Sequence, residues 1–241
     1  MESTRSAWAR NSAECGPAFD EALAEDPKAA DAAEAAHAAV LCYQKTYDKE
    51  HAAGAARRGI GQMPGSVRQE VGDELFAAKP MTEHQTAMIG AFNRYICHVK
   101  PAAGDKEGQS RLVEIKYARA RTYFEARRWD EAAVGFRDVA VDHAGHDAAV
   151  YAAQLYLESV NVLRDHAKPR RTGCVADMKR DVPTFLDSFC GGDRGRGSSD
   201  CASLTRVQVD LLRLEAEEDT ARAAAATGAA ALALHERAGG A

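Results

Sequence analysis

Apolar residues recur at three- and four-residue intervals along most of this chain, and no stretch alternates apolar with polar long enough to make a strand. The pattern is clearest from Leu112 to Leu163. Val113, Tyr117, Ala120 and Phe124 share one helical face, and Trp129, Ala132, Ala133, Phe136, Val139 and Ala140 share another. A tight corner, RRWDEA, joins the two helices. In a third helix Ala149, Ala153, Tyr156, Val160 and Leu163 form one stripe, while Val150 and Leu157 add a second apolar face. A helix apolar on two faces packs between neighbours. The spacing therefore predicts an all-α fold.

The rest of the chain reads in the same terms. Trp8, Ser12, Cys15, Phe19 and Leu23 lie on one side of a first helix, and Asp31 caps a second that carries Ala36, Ala39, Val40, Tyr43 and Tyr47. The two make a hairpin turning at Pro27 and Lys28. From Lys49 to Pro80 glycines and prolines interrupt the pattern, leaving a weak helix and a second over 66–77. Thr82 and Gln85 form a capping box for a helix with Ile89, Phe92, Ile96 and Val99, ending at Pro101. PAAGDKEGQS is a polar loop, with Ser110 as cap of the central helix. Further on, Val182, Phe185, Leu186 and Phe189 define a short helix capped by Asp181, with Pro183 in its first turn. Leu204, Val207, Leu211 and Leu214 space a long helix, followed by acidic EAEED and an alanine-rich tail. That tail, ALALHERAGGA, reads as the opening of another repeat helix, so the chain is expected to be part of a longer protein. Residues 1–103 are taken as N-terminal helical repeats, partly degenerate. Residues 104–241 hold the central repeat core and the C-terminal helices, continuous with the first part.

Six cysteines change the picture. Cys190 and Cys201 bracket CGGDRGRGSSDC, a loop whose ends a disulfide would tie. Cys15 and Cys42 are nearly equidistant from the first hairpin turn. Cys97 and Cys174 pair only by elimination, and Cys174 with Cys190 is an alternative. A reducing cytoplasm would keep all six as buried thiols. The formal charge of −5 gives no electrostatic case for nucleic acid. No apolar run reaches the length of a membrane span, and the first residues lack the apolar core of a secretory signal.

Chemistry is sparse. Asp142, His143, His146 and Asp147 are metal-capable residue types, but HExxH is absent and polar turn residues are expected there; no metal site and no cofactor are assigned. No CxxC pair, phosphate-loop pattern or nucleophile constellation stands out, and the chain is read as non-enzymatic. Arg194, Arg196 and the basic 169–171 read as solvated loops.

Ala120, Tyr123, Trp129, Ala132 and Phe136 across the RRWDEA corner resemble the tetratricopeptide repeat, a helix–turn–helix unit. Lys116 and Arg119 depart from it, at positions usually bulky and apolar. Other stretches, among them AECGPAFDEAL, AHAAVLCYQK, FNRYICHVKP, YAAQLYLESVNVL and CVADMKRDVPTFLDSFC, resemble the envelope-associated tetratricopeptide proteins of gliding bacteria. The resemblance implies a right-handed array of antiparallel hairpins and a non-enzymatic scaffold binding protein or peptide partners. It places the protein in the periplasm or envelope and puts Tyr117, Arg121, Phe124 and Glu125 on a binding groove. Alternatively, Tyr117 and Phe124 pack on an adjacent helix. A cytoplasmic helical regulatory or catalytic protein with reduced cysteines is the competing function.

Overall fold

A computed structural model describes residues 12–52, 73–169, 171–192 and 198–239. Among the described residues the regular structure is eight α-helices and one 3-10 turn, with no strand. The all-α reading holds. In chain order the helices are α1 (Ser12–Glu25), α2 (Ala32–Ala52), α3 (Glu83–His98), α4 (Lys106–Glu125), α5 (Trp129–Asp142), α6 (Ala149–Asp165), α7 (Cys174–Cys190) and α8 (Ser199–Gly239). The chain forms two compact units, 1–171 and 172–241.

In the first unit each helix packs on the next, from α1 through α6. Small residues set how closely they approach. On α5, a Cβ added at Gly135 would stand 2.8 Å from the Ala120 Cβ of α4. On α1, one added at Gly16 would fall 2.7 Å from the Tyr43 ring of α2. The α4–α5 pair runs antiparallel: Phe124 meets Trp129 at the corner, while Lys116 reaches Asp138 further back along both helices. Between them Ala120, Ala132, Phe136 and Val139 are fully buried. A second group of buried residues, including Ala36, Ala39, Val40, Met88, Phe92 and Tyr95, joins α2 to α3 and reaches Ile115 of α4.

Local signals fix the ends. The Thr82–Gln85 capping box forms as read, with Gln85 N–H donating to Thr82 Oγ1 at 3.1 Å and Thr82 N–H to Gln85 Oε1 at 3.0 Å. The start of α4 differs from expectation. Asp105 caps it by accepting from Gly108 N–H at 2.9 Å, so the helix begins a turn before Ser110. A carboxylate capping the first turn adds charge complementarity that a serine lacks. At the corner, Arg127 N–H donates to the Phe124 carbonyl and Arg128 N–H to the Tyr123 carbonyl, with Arg127 in the left-handed region at φ 57°. This is the Schellman closure, with arginine where glycine is usual.

The expected helix over 66–77 falls largely outside the described residues; its described end, Asp73–Phe76, is a 3-10 turn. The glycine-rich stretch 53–72, Trp8, Arg170 and the loop residues 193–197, with Arg194 and Arg196, also lie outside them.

The second unit corrects another boundary. α7 begins at Cys174, not at Asp181, and Pro183 lies inside it. Cys174, Met178, Val182 and Phe185 form one buried stripe, and its burial carries the helix through the proline. Asp181 is buried and receives both Arg180 Nε (2.9 Å) and Nη2 (3.0 Å). α8 packs on α7 through Cys201, Leu204 and Leu211, and Lys179 lies 3.7 Å from both Glu215 and Glu218. The C-terminal tail is a continuation of α8 as far as Gly239 rather than a separate helix.

Two cysteine pairs are joined as expected: Cys15–Cys42, with Cα atoms 5.8 Å apart, and Cys190–Cys201, at 5.5 Å. Neither Cys97 nor Cys174 is in a disulfide; the first is exposed, the second buried. Cys174 therefore bonds neither Cys97 nor Cys190. Disulfides persist in oxidising compartments.

Non-reducing peptide mapping of protein made in such a compartment should recover these two linkages and two free thiols. Replacing Cys190 and Cys201 by serine should cost about 2–3 kcal/mol in denaturant melts, the loss expected for a loop this short. Six free thiols would contradict both. Gly135→Val should destabilise the chain by about 1–3 kcal/mol, because the Ala120 backbone stands behind the side chain it would strike. An unchanged melting midpoint would show that the two helices can part without loss.

Candidate functional site

α4 brings the four groove candidates to one side of the first unit, where they divide into two pairs. Tyr117 and Phe124 both rest on the buried Phe136 of α5, with ring centroids 5.6 and 5.9 Å away. Phe124 also meets Trp129 edge-on at 5.0 Å. These rings pack against the neighbouring helix. Arg121 and Glu125 form a polar surface beside them: Arg121 Nε donates to Glu125 Oε1 at 3.0 Å. The other oxygen, Oε2, accepts from Tyr47 Oη of α2 at 2.9 Å. Burial, then the Glu125 charge, pushes the Tyr47 phenol up to about 12.

Tyr117 has a buried hydroxyl with no hydrogen bond of good geometry. Burial raises its pKa, the Arg121 guanidinium beside it lowers it, and Tyr151 of α6 raises it further. Tyr151 is 38% exposed, so its ring is open to a partner. Side chains of α2 and α4 thus meet along one surface, and Tyr151 of α6 lies near enough to Tyr117 to act on it electrostatically. Sequence reading placed Tyr47 only as a helix-face residue and passed over Tyr151, which falls off the apolar stripe of its own helix.

Two turns beyond Tyr151 on α6, Glu158 meets no hydrogen-bonding or charged partner among the described residues. Burial alone lifts its carboxyl from the ordinary 4.5 to about 7.

At the far end of the hairpin the metal-capable residues serve other contacts. His143 Nε2 lies 2.9 Å from Lys116 Nζ, and Lys116 also pairs with Asp138 at 3.0 Å. His146 Nε2 lies 2.9 Å from Ser110 Oγ, while its Nδ1 accepts from Ala148 N–H at 3.1 Å. Because Nδ1 accepts, Nε2 carries the proton and faces the serine as a donor. That is the reverse of the tautomer a serine nucleophile needs from its base. Among the described residues no three His, Cys, Asp or Glu side chains converge as a metal site requires. No described helix is long and apolar enough to cross a membrane.

A short strap crosses the corner of the hairpin. Trp129 Nε1 donates to the Phe76 carbonyl at 2.7 Å, Lys79 N–H to the Ala126 carbonyl at 2.9 Å, and the Phe76 ring stacks on His166 at 3.9 Å. Arg171, at the end of the basic loop, pairs with Asp130 at 3.0 Å. Comparison of the chain with protein-family models, with curated proteins and with solved structures finds no match in any of the three.

Glu158 supplies a pH test. Its carboxyl is raised in the folded state, so the unfolded chain gives up its proton first. The residue therefore costs stability progressively as pH rises from about 4.5 to about 7. Glu158→Gln should stabilise the protein by on the order of 1 kcal/mol at pH 8, allowing for partial exposure, and by less at pH 5. Urea melts at both pH values measure this, and an equal effect at each would show that the carboxylate is well solvated.

Proposed function

We propose that the protein is a non-enzymatic scaffold whose α2, α4 and α6 line a groove for a protein or peptide partner. The observation that supports this reading is the meeting of Tyr47, Tyr117, Arg121, Glu125 and Tyr151, drawn from alternate helices, on one surface. A tetratricopeptide-like, right-handed array of antiparallel hairpins presents alternate helices on one surface, and the sequential packing from α1 to α6 fits such an array. Tyrosines offer apolar area at little entropic cost, and an arginine–glutamate pair can exchange its internal hydrogen bonds for charge-assisted bonds to a peptide. The two disulfides fit an oxidising compartment, and the periplasm or cell envelope is the location this reading assigns.

Photo-crosslinking from position 151, in envelope extracts of the source cells, tests the groove. The wild-type chain should capture a discrete partner. Arg121→Ala combined with Glu125→Ala should reduce capture about tenfold or more while leaving the helical circular dichroism intact, as loss of a central contact does. Equal capture by the folded double variant would place the binding surface elsewhere.

A further inference from the structure

Two histidines at the corner between α5 and α6 accept hydrogen bonds from groups that can only donate. The Lys116 ammonium on α4 stands 2.9 Å from His143 Nε2, and the Ala148 peptide N–H stands 3.1 Å from His146 Nδ1. Neither donor can accept a proton from the ring, so each facing nitrogen must be bare. His143 is therefore the Nδ1–H tautomer. His146 is the Nε2–H tautomer and donates to Ser110 Oγ on α4 at 2.9 Å. One bond ties His143 directly to α4; the other pair ties His146 both to α4 and to the start of α6.

We propose that this corner is a proton-operated latch: charging His143 loosens residues 143–148 from α4 while the remainder of the first unit stays folded. Protonation of His143 turns its Nε2 into a donor facing an ammonium. The surroundings set the balance. Lys116 comes from α4, Asp138 and Asp142 from α5, and His143 and His146 also feel one another. Lys106, Ser110 and Asp142 share with both rings an open cavity of about 280 Å³, and Ser110 Oγ also donates to Glu114 at 3.3 Å. The carboxylates of Asp138 and Asp142 favour a charged His143, but burial and then Lys116 outweigh them and hold its pKa below the ordinary 6.5. The bond of neutral His143 thus contributes its full stability above pH 6.5. The contribution falls as the pH drops below that value, because the unfolded chain takes up the proton first.

The test uses the full chain. Long-range proton–nitrogen spectra of the imidazoles at about pH 7.5 should show His143 neutral and protonated on Nδ1, and a proton on Nε2 of His146. Amide hydrogen exchange, corrected for its intrinsic pH dependence, should accelerate about tenfold or more over 143–148 between pH 7.5 and pH 5, and should stay level in α1 and α2. His143→Gln with His146→Asn keeps an acceptor at each place without a titrating group, and should hold the acceleration below about twofold. A charged His143, or a reversed tautomer of either ring, at pH 7.5 would overturn the proposal. So would level exchange in the wild type, or equal acceleration in the double variant. Should that variant fail to fold, the wild-type ring spectra and exchange rates decide by themselves.

Discussion

The distance between α4 and α5 is the constraint on which most of the first unit depends. It is set where Gly135 faces Ala120, a contact with no room for one more carbon. At that separation Phe136 is wholly enclosed and becomes the surface on which Tyr117 and Phe124 rest. The same separation brings Lys116 within reach of both Asp138 and His143. It also lets three residues turn the corner, which aims the Trp129 indole at the Phe76 carbonyl and secures the strap. α1 and α2 repeat the device with Gly16 under the Tyr43 ring. Close approach multiplies dispersion contacts along the whole helix pair, so one added carbon has effects well beyond its own site.

Polar chemistry follows from that packing. Lys116 lies between α4 and α5, and its side chain is only 16% exposed. A lysine in that place needs acceptors, and α5 provides two: a carboxylate and a neutral imidazole. Glu158 is the opposite case, a partly buried carboxyl with no cation beside it. One group resists gaining a proton and the other resists losing one. The pH dependences of His143 and Glu158 therefore run in opposite senses.

Much of this was legible in the sequence. Period-3.6 stripes located α3, α5 and α6 and the central corner, because burial on one face leaves a pattern that needs no partner to be seen. The Thr82–Gln85 box was legible because capping is local. Two cysteine pairs could be read from loop length and from distance to a turn. Gly135 was not, since a glycine that permits close approach looks like a glycine that breaks a helix. The onset of α7 was missed because Asp181 and Pro183 mimic a helix start, while the stripe of Cys174, Met178 and Val182 argued for an earlier one. The four groove candidates came from a repeat pattern, which assigns positions but not neighbours. Tyr47 and Tyr151 join Arg121 and Glu125 only through tertiary geometry. The division after Arg171 leaves no mark beyond the basic loop.

The placement of the disulfides follows from how much each region can bury. α7 and α8 make the second unit with a single helix–helix contact, and the described residues of α8 from Glu215 to Thr227 are all exposed. So small a core supplies little stability, and a covalent tie between the end of α7 and the start of α8 compensates by restricting the unfolded chain. α1 packs chiefly on α2, and Cys15–Cys42 fastens that pair. Between these ends, α4 and α5 each have helices packed on both sides and carry no cysteine. Their contacts are apolar burial, short polar ties and the Gly135–Ala120 approach. A chain built from nearest-neighbour contacts can loosen one junction while the others hold. The junction fastened by His143 and His146 lies in this middle stretch, where no covalent bond would prevent it from opening.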